Sequence, residues 1–239
     1  MAGADGARGI VARELGIKNH HNYLASLETE VSVSRGELAK WQSQVMIDLG
    51  CIPAGFAWVF PKSKHLSIGI ACLASKAGEL KRCYQEFFNS LHLSQSSLIK
   101  WSGSLLPTCT GRAVVAQERA VLLGDAAGLA DPLSGEGLYS AILSAKLAAQ
   151  AIEKSLKSGA VRLDDYQKAV EEKIFKEMRI AYIFSQVLTL LPKRLFGLLK
   201  QDERVWQSCC RLLRGETNYQ TINNRITSLG GLYDLVLRE

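Results

Sequence analysis

The chain has 239 residues, 47% of them hydrophobic and 22% charged, a balance that excludes disordered, collagen-like and proline-rich classes and leaves a globular protein with a real core. Lys and Arg number 29 against 23 Asp and Glu, for a net charge of +6. The excess is local, because 193–214 carries Lys193, Arg194, Lys200, Arg204, Arg211 and Arg214 against only Asp202 and Glu203. Just upstream, the uncharged run 180–192 is shorter than the roughly 20 apolar residues that cross a bilayer. The N-terminal residues lack the basic and apolar regions of a secretory signal. A cytoplasmic protein is expected, peripheral on a membrane at most, with no nucleic-acid partner. The six cysteines form no C-x-x-C pair and no ligand set with histidine, so no metal is expected. His20 and His21 read as surface or turn residues.

In chain order, 3–8 is turn chemistry, and 9–15 predicts a short helix stopped by Gly16. Residues 27–33 alternate, with Leu27, Thr29, Val31 and Val33 on one face and Glu28, Glu30 and Ser32 on the other, which predicts a half-buried antiparallel strand. The same pattern predicts a strand at 45–49. Segments 56–60 and 66–72 read as a hairpin around a polar five-residue loop, and the four pieces together as a meander. Apolar positions Ala77, Leu80, Tyr84, Phe87, Phe88 and Leu91 predict an amphipathic helix over 76–91 that covers one sheet face. A strand follows at 98–106, then a turn-rich crossing at 107–111. The continuous apolar run ending in Gly124 predicts a strand of a parallel sheet, buried on both faces. Helices are expected over 137–156 and from a cap at Asp164 or Asp165 through Leu188, ahead of a helical, basic tail.

The strongest chemical signal is V-L-L-G-D-A-A-G at 121–128, followed by D-P-L-S-G-E-G-L at 131–138. A buried strand ending in glycine lets another backbone or a ligand approach, and Asp125 is placed to accept hydrogen bonds from hydroxyls. A second glycine pair, Gly135 and Gly137, opens a helix whose free amides point at whatever is bound. Such elements around a polyhydroxylated, partly anionic ligand describe a site for a flavin ribityl chain and ring. A third string, P-A-G-F-A-W-V-F-P-K at 53–62, puts Phe56, Trp58 and Phe60 on one face of a strand as a flat apolar wall.

The string G-D-A-A-G-x-x-x-P-x-x-G-E-G-[IL] resembles the second FAD motif of the glutathione-reductase-like, aromatic-hydroxylase flavoproteins. Its S-G-E-G-[IL]-Y form is similar to the geranylgeranyl reductase family. The resemblance implies that Gly124, Asp125 and Ala126 line the ribityl site, that Pro132 lies near the isoalloxazine, and that Gly135, Glu136, Gly137 and Leu138 stabilise negative charge on the reduced ring. Residues 3–8, with Val11 and Arg13, resemble the superfamily's G-A-D-G-x-x-S-x-V-R motif, which assigns Asp5 and Gly6 to cofactor contacts. Gly9 stands where that motif has Ser, and the Arg falls one place late. The 53–62 string resembles P-x-x-Y-x-W-x-F-P of geranylgeranyl reductases, which implies a polyprenyl channel lined by Phe56, Trp58, Phe60 and Pro61, with Phe56 replacing the usual Tyr.

The fold class so implied is mixed α/β: an incomplete, Rossmann-like FAD-binding domain with an inserted antiparallel substrate domain and a C-terminal helical region. The implied boundaries are 1–16 for the end of the FAD domain, 17–112 for the sheet domain, 113–157 for the closing part of the FAD domain, and 158–239 for the helical region. The sequence holds no G-x-G-x-x-G for the pyrophosphate, so a truncation of about 100 residues or more is expected at the front. The implied activity is FAD-dependent reduction of geranylgeranyl carbon–carbon double bonds, with NADPH or a ferredoxin-type donor. Two alternatives stand beside it, a flavin monooxygenase of an aromatic or quinone-like substrate and a fragment without catalysis. No catalytic side chain is assigned.

Overall fold

Buried apolar residues gather into two separate cores, and the computed structural model divides into two units, Met1–Asn22 with Pro107–Glu239, and Tyr23–Leu106. It describes residues 1–19, 22–93, 96–159, 163–191, 197, 200 and 202–228. His20, His21 and the basic pair Lys193 and Arg194 lie outside the described residues.

The first unit opens with β1 (Ala2–Gly3) and α1 (Val11–Glu14). The helix expected over 9–15 is a single turn, followed by Gly16 at φ +67°. Ile17 is buried in this unit's core. Asn19 exchanges two hydrogen bonds of 2.9 Å with the Val114 backbone.

The second unit contains β2 (Asn22–Ser32), α2 (Arg35–Trp41), β3 (Met46–Asp48), β4 (Gly55–Pro61), β5 (Leu66–Leu73), α3 (Leu80–Ser90) and β6 (Ser97–Thr108). The sheet order is β3-β4-β5-β2-β6. This corrects the expected meander: β3, β4 and β5 are consecutive neighbours, but β2 pairs with β5, from Leu24 opposite Leu73 to Val31 opposite Leu66. Helix α2 supplies the connection that lets the chain pass from β2 to the far edge. It starts at Ser34, whose Oγ accepts from the Glu37 amide at 3.2 Å, and the S-x-x-E spacing of a capping box is the signal for it in the sequence. The β4–β5 turn closes with Lys62 N donating to His65 O at 2.8 Å.

Helix α3 covers one sheet face, burying Leu80, Cys83, Tyr84 and Phe87 in one core with Ala57, Val59, Ile68, Ile70 and Cys72. Full burial of a large apolar side chain contributes about 1.5–3 kcal/mol. Tyr84 is not left with an idle hydroxyl, because it bonds Thr29 Oγ1, which also donates to Ile68 O at 3.1 Å. The helix begins later than expected, since 74–79 winds as a tight 3₁₀ turn.

Back in the first unit, β7 (Ala116–Gln117) and β8 (Ala120–Leu122) form a three-stranded sheet in the order β1-β8-β7. Ala120, Val121 and Leu122 are all buried. Only the β1 side of β8 is parallel, however; β7 pairs antiparallel, so the run of apolar residues overstated the parallel character. Helix α4 (Leu138–Ser158) ends at Gly159, φ +67°. Then come α5 (Asp164–Val170), a π-turn over Glu171–Phe175, and α6 (Lys176–Leu190). Leu163, not Asp164 or Asp165, is the N-cap; the two carboxylates sit in the first turn, where they favour the helix dipole. Fully buried Tyr166 donates from its hydroxyl to Leu122 O at 2.7 Å, joining α5 to β8. Helices α7 (Glu203–Leu213) and α8 (Tyr219–Ser228) complete the described chain.

Candidate functional site

Because β1 and β8 are parallel, with Gly3 opposite Leu122, both chains leave the sheet at the same edge. In open α/β sheets, ligands bind outside the carboxyl ends of strands. At this edge lie Asp5 and Gly6 after β1, and Gly124, Asp125 and Ala126 after β8. Gly6 has φ +76° and Gly124 φ +52°, conformations that side chains rarely adopt. Asp5 Oδ2 accepts from the amides of Ile10 at 2.6 Å and Val11 at 3.0 Å, and the Val11 bond, with lesser ones from its own and the Ile10 amide, holds the carboxyl below its ordinary range. This also accounts for Gly9: a Cβ there would lie 2.2 Å from the Asp5 carboxylate.

Gly124 N donates to Ser144 Oγ at 3.1 Å, fastening the end of β8 to α4. Half-buried Asp125 follows. No described residue donates a hydrogen bond to its carboxylate. Burial, and after it the charge of Glu136, pushes its pKa above the usual range. The carboxylate lies beside the start of α4, where a Cβ on Gly137 would come within 3.2 Å of Asp125 Oδ1. Ala126 is buried.

The segment 131–138 curls onto that helix start. Asp131 N donates to Glu136 O at 2.7 Å and Gly135 N to Asp131 O at 2.9 Å, with Gly135 at φ +72°. Pro132 is buried within the loop. Glu136 is exposed, and its Oε1 accepts from Tyr139 N at 2.9 Å. Gly137 is the N-cap and brings no side chain of its own to the helix end. Leu138 is 77% exposed. Ser140, in the same first turn, has a buried Oγ without a partner among the described residues. A residue that sequence reasoning missed anchors the loop: Tyr219 of α8 donates from its hydroxyl to Asp131 Oδ2 at 2.6 Å. Eighty-eight positions separate the two, and no local pattern marks the pair.

Phe56, Trp58, Phe60 and Pro61 all belong to β4, in the second unit. Adjacent ring centroids of Phe56, Trp58 and Phe60 are 5.9 and 6.1 Å apart. The three rings share the face away from the α3 core, since Ala57 and Val59 point into it. The Trp58 indole lies flat on β5, where a Cβ at Gly69 would meet its ring at 2.1 Å. Trp58 Nε1 donates to Ser67 Oγ at 3.4 Å, and Ser67 donates to Glu28 Oε1 at 2.5 Å. The polar face of β2 and the aromatic face of β4 are therefore one face.

Among the described residues no group of His, Cys, Asp or Glu could hold a metal ion. The cysteines are free, and burial pushes the thiols of Cys51 up to about 12 and of Cys72 and Cys109 up to about 11. None of the described helices is long and apolar enough to cross a membrane.

No family model matches the chain. It is 33% identical over 110 residues to a digeranylgeranylglycerophospholipid reductase of Methanosphaerula palustris, covering 45% of this chain and 28% of that protein. It is 27% identical over 177 residues to a chloroplastic geranylgeranyl diphosphate reductase of Nicotiana tabacum, covering 72% of this chain and 38% of that one. The chain thus spans well under two thirds of these relatives' lengths. Among solved structures, a geranylgeranyl bacteriochlorophyll reductase-like protein of Thermoplasma acidophilum superposes with a TM-score of 0.72 at 24% identity, over 80% of this chain and 50% of that chain. A p-nitrophenol 4-monooxygenase of Pseudomonas putida has the same fold, with a TM-score of 0.59 at 20% identity, over 90% of this chain and 58% of that one. The fold is that of FAD-dependent oxidoreductases of mixed α/β class.

Proposed function

From the premise that this chain is a relative of the geranylgeranyl reductases, we propose that it is the flavin-ring and substrate portion of an FAD-dependent enzyme that reduces carbon–carbon double bonds of an isoprenoid lipid. The observation that carries the reading is Asp125. A half-buried carboxylate with no donor among the described residues, beside a helix start left open by Gly137, fits a ligand rich in hydroxyls. The orphaned Ser140 Oγ nearby in sequence fits the same conclusion, because native buried hydroxyls find partners.

In this reading Asp125 holds the ribityl hydroxyls, and the glycines at 124, 135 and 137 let the backbone come close. The free amides at the start of α4 would offset negative charge on the bound ring. Bound FAD supplies hydride chemistry when reduced. Phe56, Trp58, Phe60 and Pro61 give a polyprenyl tail a flat, dry wall, while an isolated alkene requires no polarising side chain. Reducing equivalents come from NADPH or a ferredoxin-type donor. Cytoplasmic placement with peripheral lipid contact belongs to the same proposal and rests on α7, which buries none of its residues and exposes Trp206 and Leu213 among basic neighbours.

The test is a titration of the purified chain with FAD, followed by absorbance and flavin fluorescence. Uptake by the wild type, with Asp125→Ala binding about 10- to 100-fold more weakly through loss of charged hydrogen bonds, is the expected result. Reduced anaerobically, the loaded protein then adds two hydrogens per double bond to a geranylgeranyl lipid, read by mass. Oxygen-dependent hydroxylation of an added aromatic instead replaces the reductase reading with the monooxygenase one, and absence of FAD uptake replaces both with a fragment without catalysis.

A further inference from the structure

Asp131 is 7% exposed and Tyr219 8%, so both polar groups have left water and must satisfy each other. The Asp131 carboxylate is fully engaged. Its Oδ1 accepts from Leu133 N at 2.7 Å and Ser134 N at 3.1 Å, and its Oδ2 accepts from Tyr219 Oη at 2.6 Å. Its own amide and carbonyl close the loop onto Glu136 and Gly135. One residue therefore sets the path of 131–136.

The phenol that meets it is held just as firmly from behind. Glu177 of α6 accepts from the amides of Tyr219 at 2.7 Å and Gln220 at 3.4 Å, and the Phe184 ring stands edge-on to Tyr219 at 5.9 Å. Asn218 Oδ1 caps the helix by accepting from Thr221 N at 2.8 Å. A phenylalanine would fill the same space, and packing alone gives no reason to bury a hydroxyl. Burial pushes the pKa of both groups above their ordinary values, and the bond between them offsets part of that cost for the carboxylate.

We infer that Tyr219 is a positioning residue for the loop 131–137, so that the α6–α8 corner of the C-terminal region fixes, through Asp131, the backbone that receives the flavin ring. The inference rests on the flavin reading above. Pro132, Gly135 and Gly137 follow Asp131 directly, and a loop released at Asp131 moves all three.

The experiment compares the full wild-type chain with Tyr219→Phe, which keeps the ring and removes the hydroxyl. Amide hydrogen exchange is followed at Leu133, Ser134 and Gly135, and FAD is titrated separately. Exchange about 10-fold or more faster at those three amides, with core amides of β8 unchanged, is expected from loss of a buried bond to a charged acceptor. FAD affinity should fall by a similar factor, and Asp131→Asn should share the loop phenotype. Unchanged loop exchange in Tyr219→Phe overturns the positioning role whatever flavin does, as does faster exchange with FAD affinity equal to wild type. If the wild type takes up no FAD, the flavin reading fails and takes the flavin half of this inference with it. A variant that unfolds is replaced by Glu177→Gln, which slackens the same corner without touching the loop and should show the same ordering of effects.

Discussion

Substituting Gly69 by alanine puts one methyl group under the Trp58 indole. An ideal Cβ at 69 falls 2.1 Å from Cζ2, 2.4 Å from Cε2 and 2.7 Å from Cη2 of that ring, whereas carbon atoms in contact sit about 3.5–4.0 Å apart. The indole must therefore lift by about 1.5 Å or the strands must part. At 3.4 Å, the bond from Trp58 Nε1 to Ser67 Oγ is already long, and a shift of that size breaks it. Overpacking of this kind costs about 1–3 kcal/mol, and the better strand propensity of alanine returns about 0.5–1 kcal/mol, for a net loss centred on about 1 kcal/mol and at most about 2.5 kcal/mol. Urea unfolding followed by far-ultraviolet circular dichroism should give a lower midpoint at unchanged slope, and the indole N–H resonance of Trp58 should move. Gly103→Ala is the control, because its Cβ meets nothing closer than Ser26 O at 3.6 Å. A Gly69→Ala protein as stable as wild type, with an unmoved indole resonance, would refute the flat seating of Trp58.

Trp58→Ala removes the middle ring of the wall; it should weaken co-sedimentation with vesicles carrying a geranylgeranyl lipid several-fold and leave FAD uptake as it was, and unchanged lipid binding counts against the wall as a substrate surface. The backbone amide of Val11 holds the folded pKa of Asp5 below the ordinary aspartate value. The carboxylate's contribution to α1 is present above that value and lost as pH falls through the lower folded one. Amide shifts of Ile10 and Val11 should titrate together below pH about 3.8, and two independent or flat titrations would contradict the cap.

Local chemistry was legible in this sequence and long-range pairing was not. Alternation placed strands near β2 and β3, the polar loop at 61–65 marked the β4–β5 hairpin, and the three-four spacing of Leu80, Tyr84 and Phe87 located the helix over the sheet, because each signal is written within a few residues. The neighbour of β2 depends instead on where the chain goes after Trp41, so the meander was the wrong order. The G-D string at 124–138 marked, by its glycines, the turn and helix start of the candidate site. Yet that Glu28 and Trp58 share a face follows only from the register of three strands, and the bond from Tyr219 to Asp131 only from the stacking of α6, α8 and the loop. Gly9 is the converse case: an odd residue in the sequence, explained once the Asp5 carboxylate is seen in the space a side chain needs.

The way the chain enters and leaves its sheet unit bears on the cost of carrying it. Thr108 Oγ1 donates to Asn22 O at 3.0 Å, and β2 and β6, which begin and end the segment, are hydrogen-bonded neighbours. A floppy 84-residue excursion, 23–106, would charge its host a loop-closure entropy of about 4 kcal/mol. Here the excursion closes itself through its own strand pairing, and the host meets two chain ends already side by side. With Asn22 and Thr108 hydrogen-bonded to each other, lengthening or shortening the segment between them leaves that closure, and so its entropy, almost unchanged.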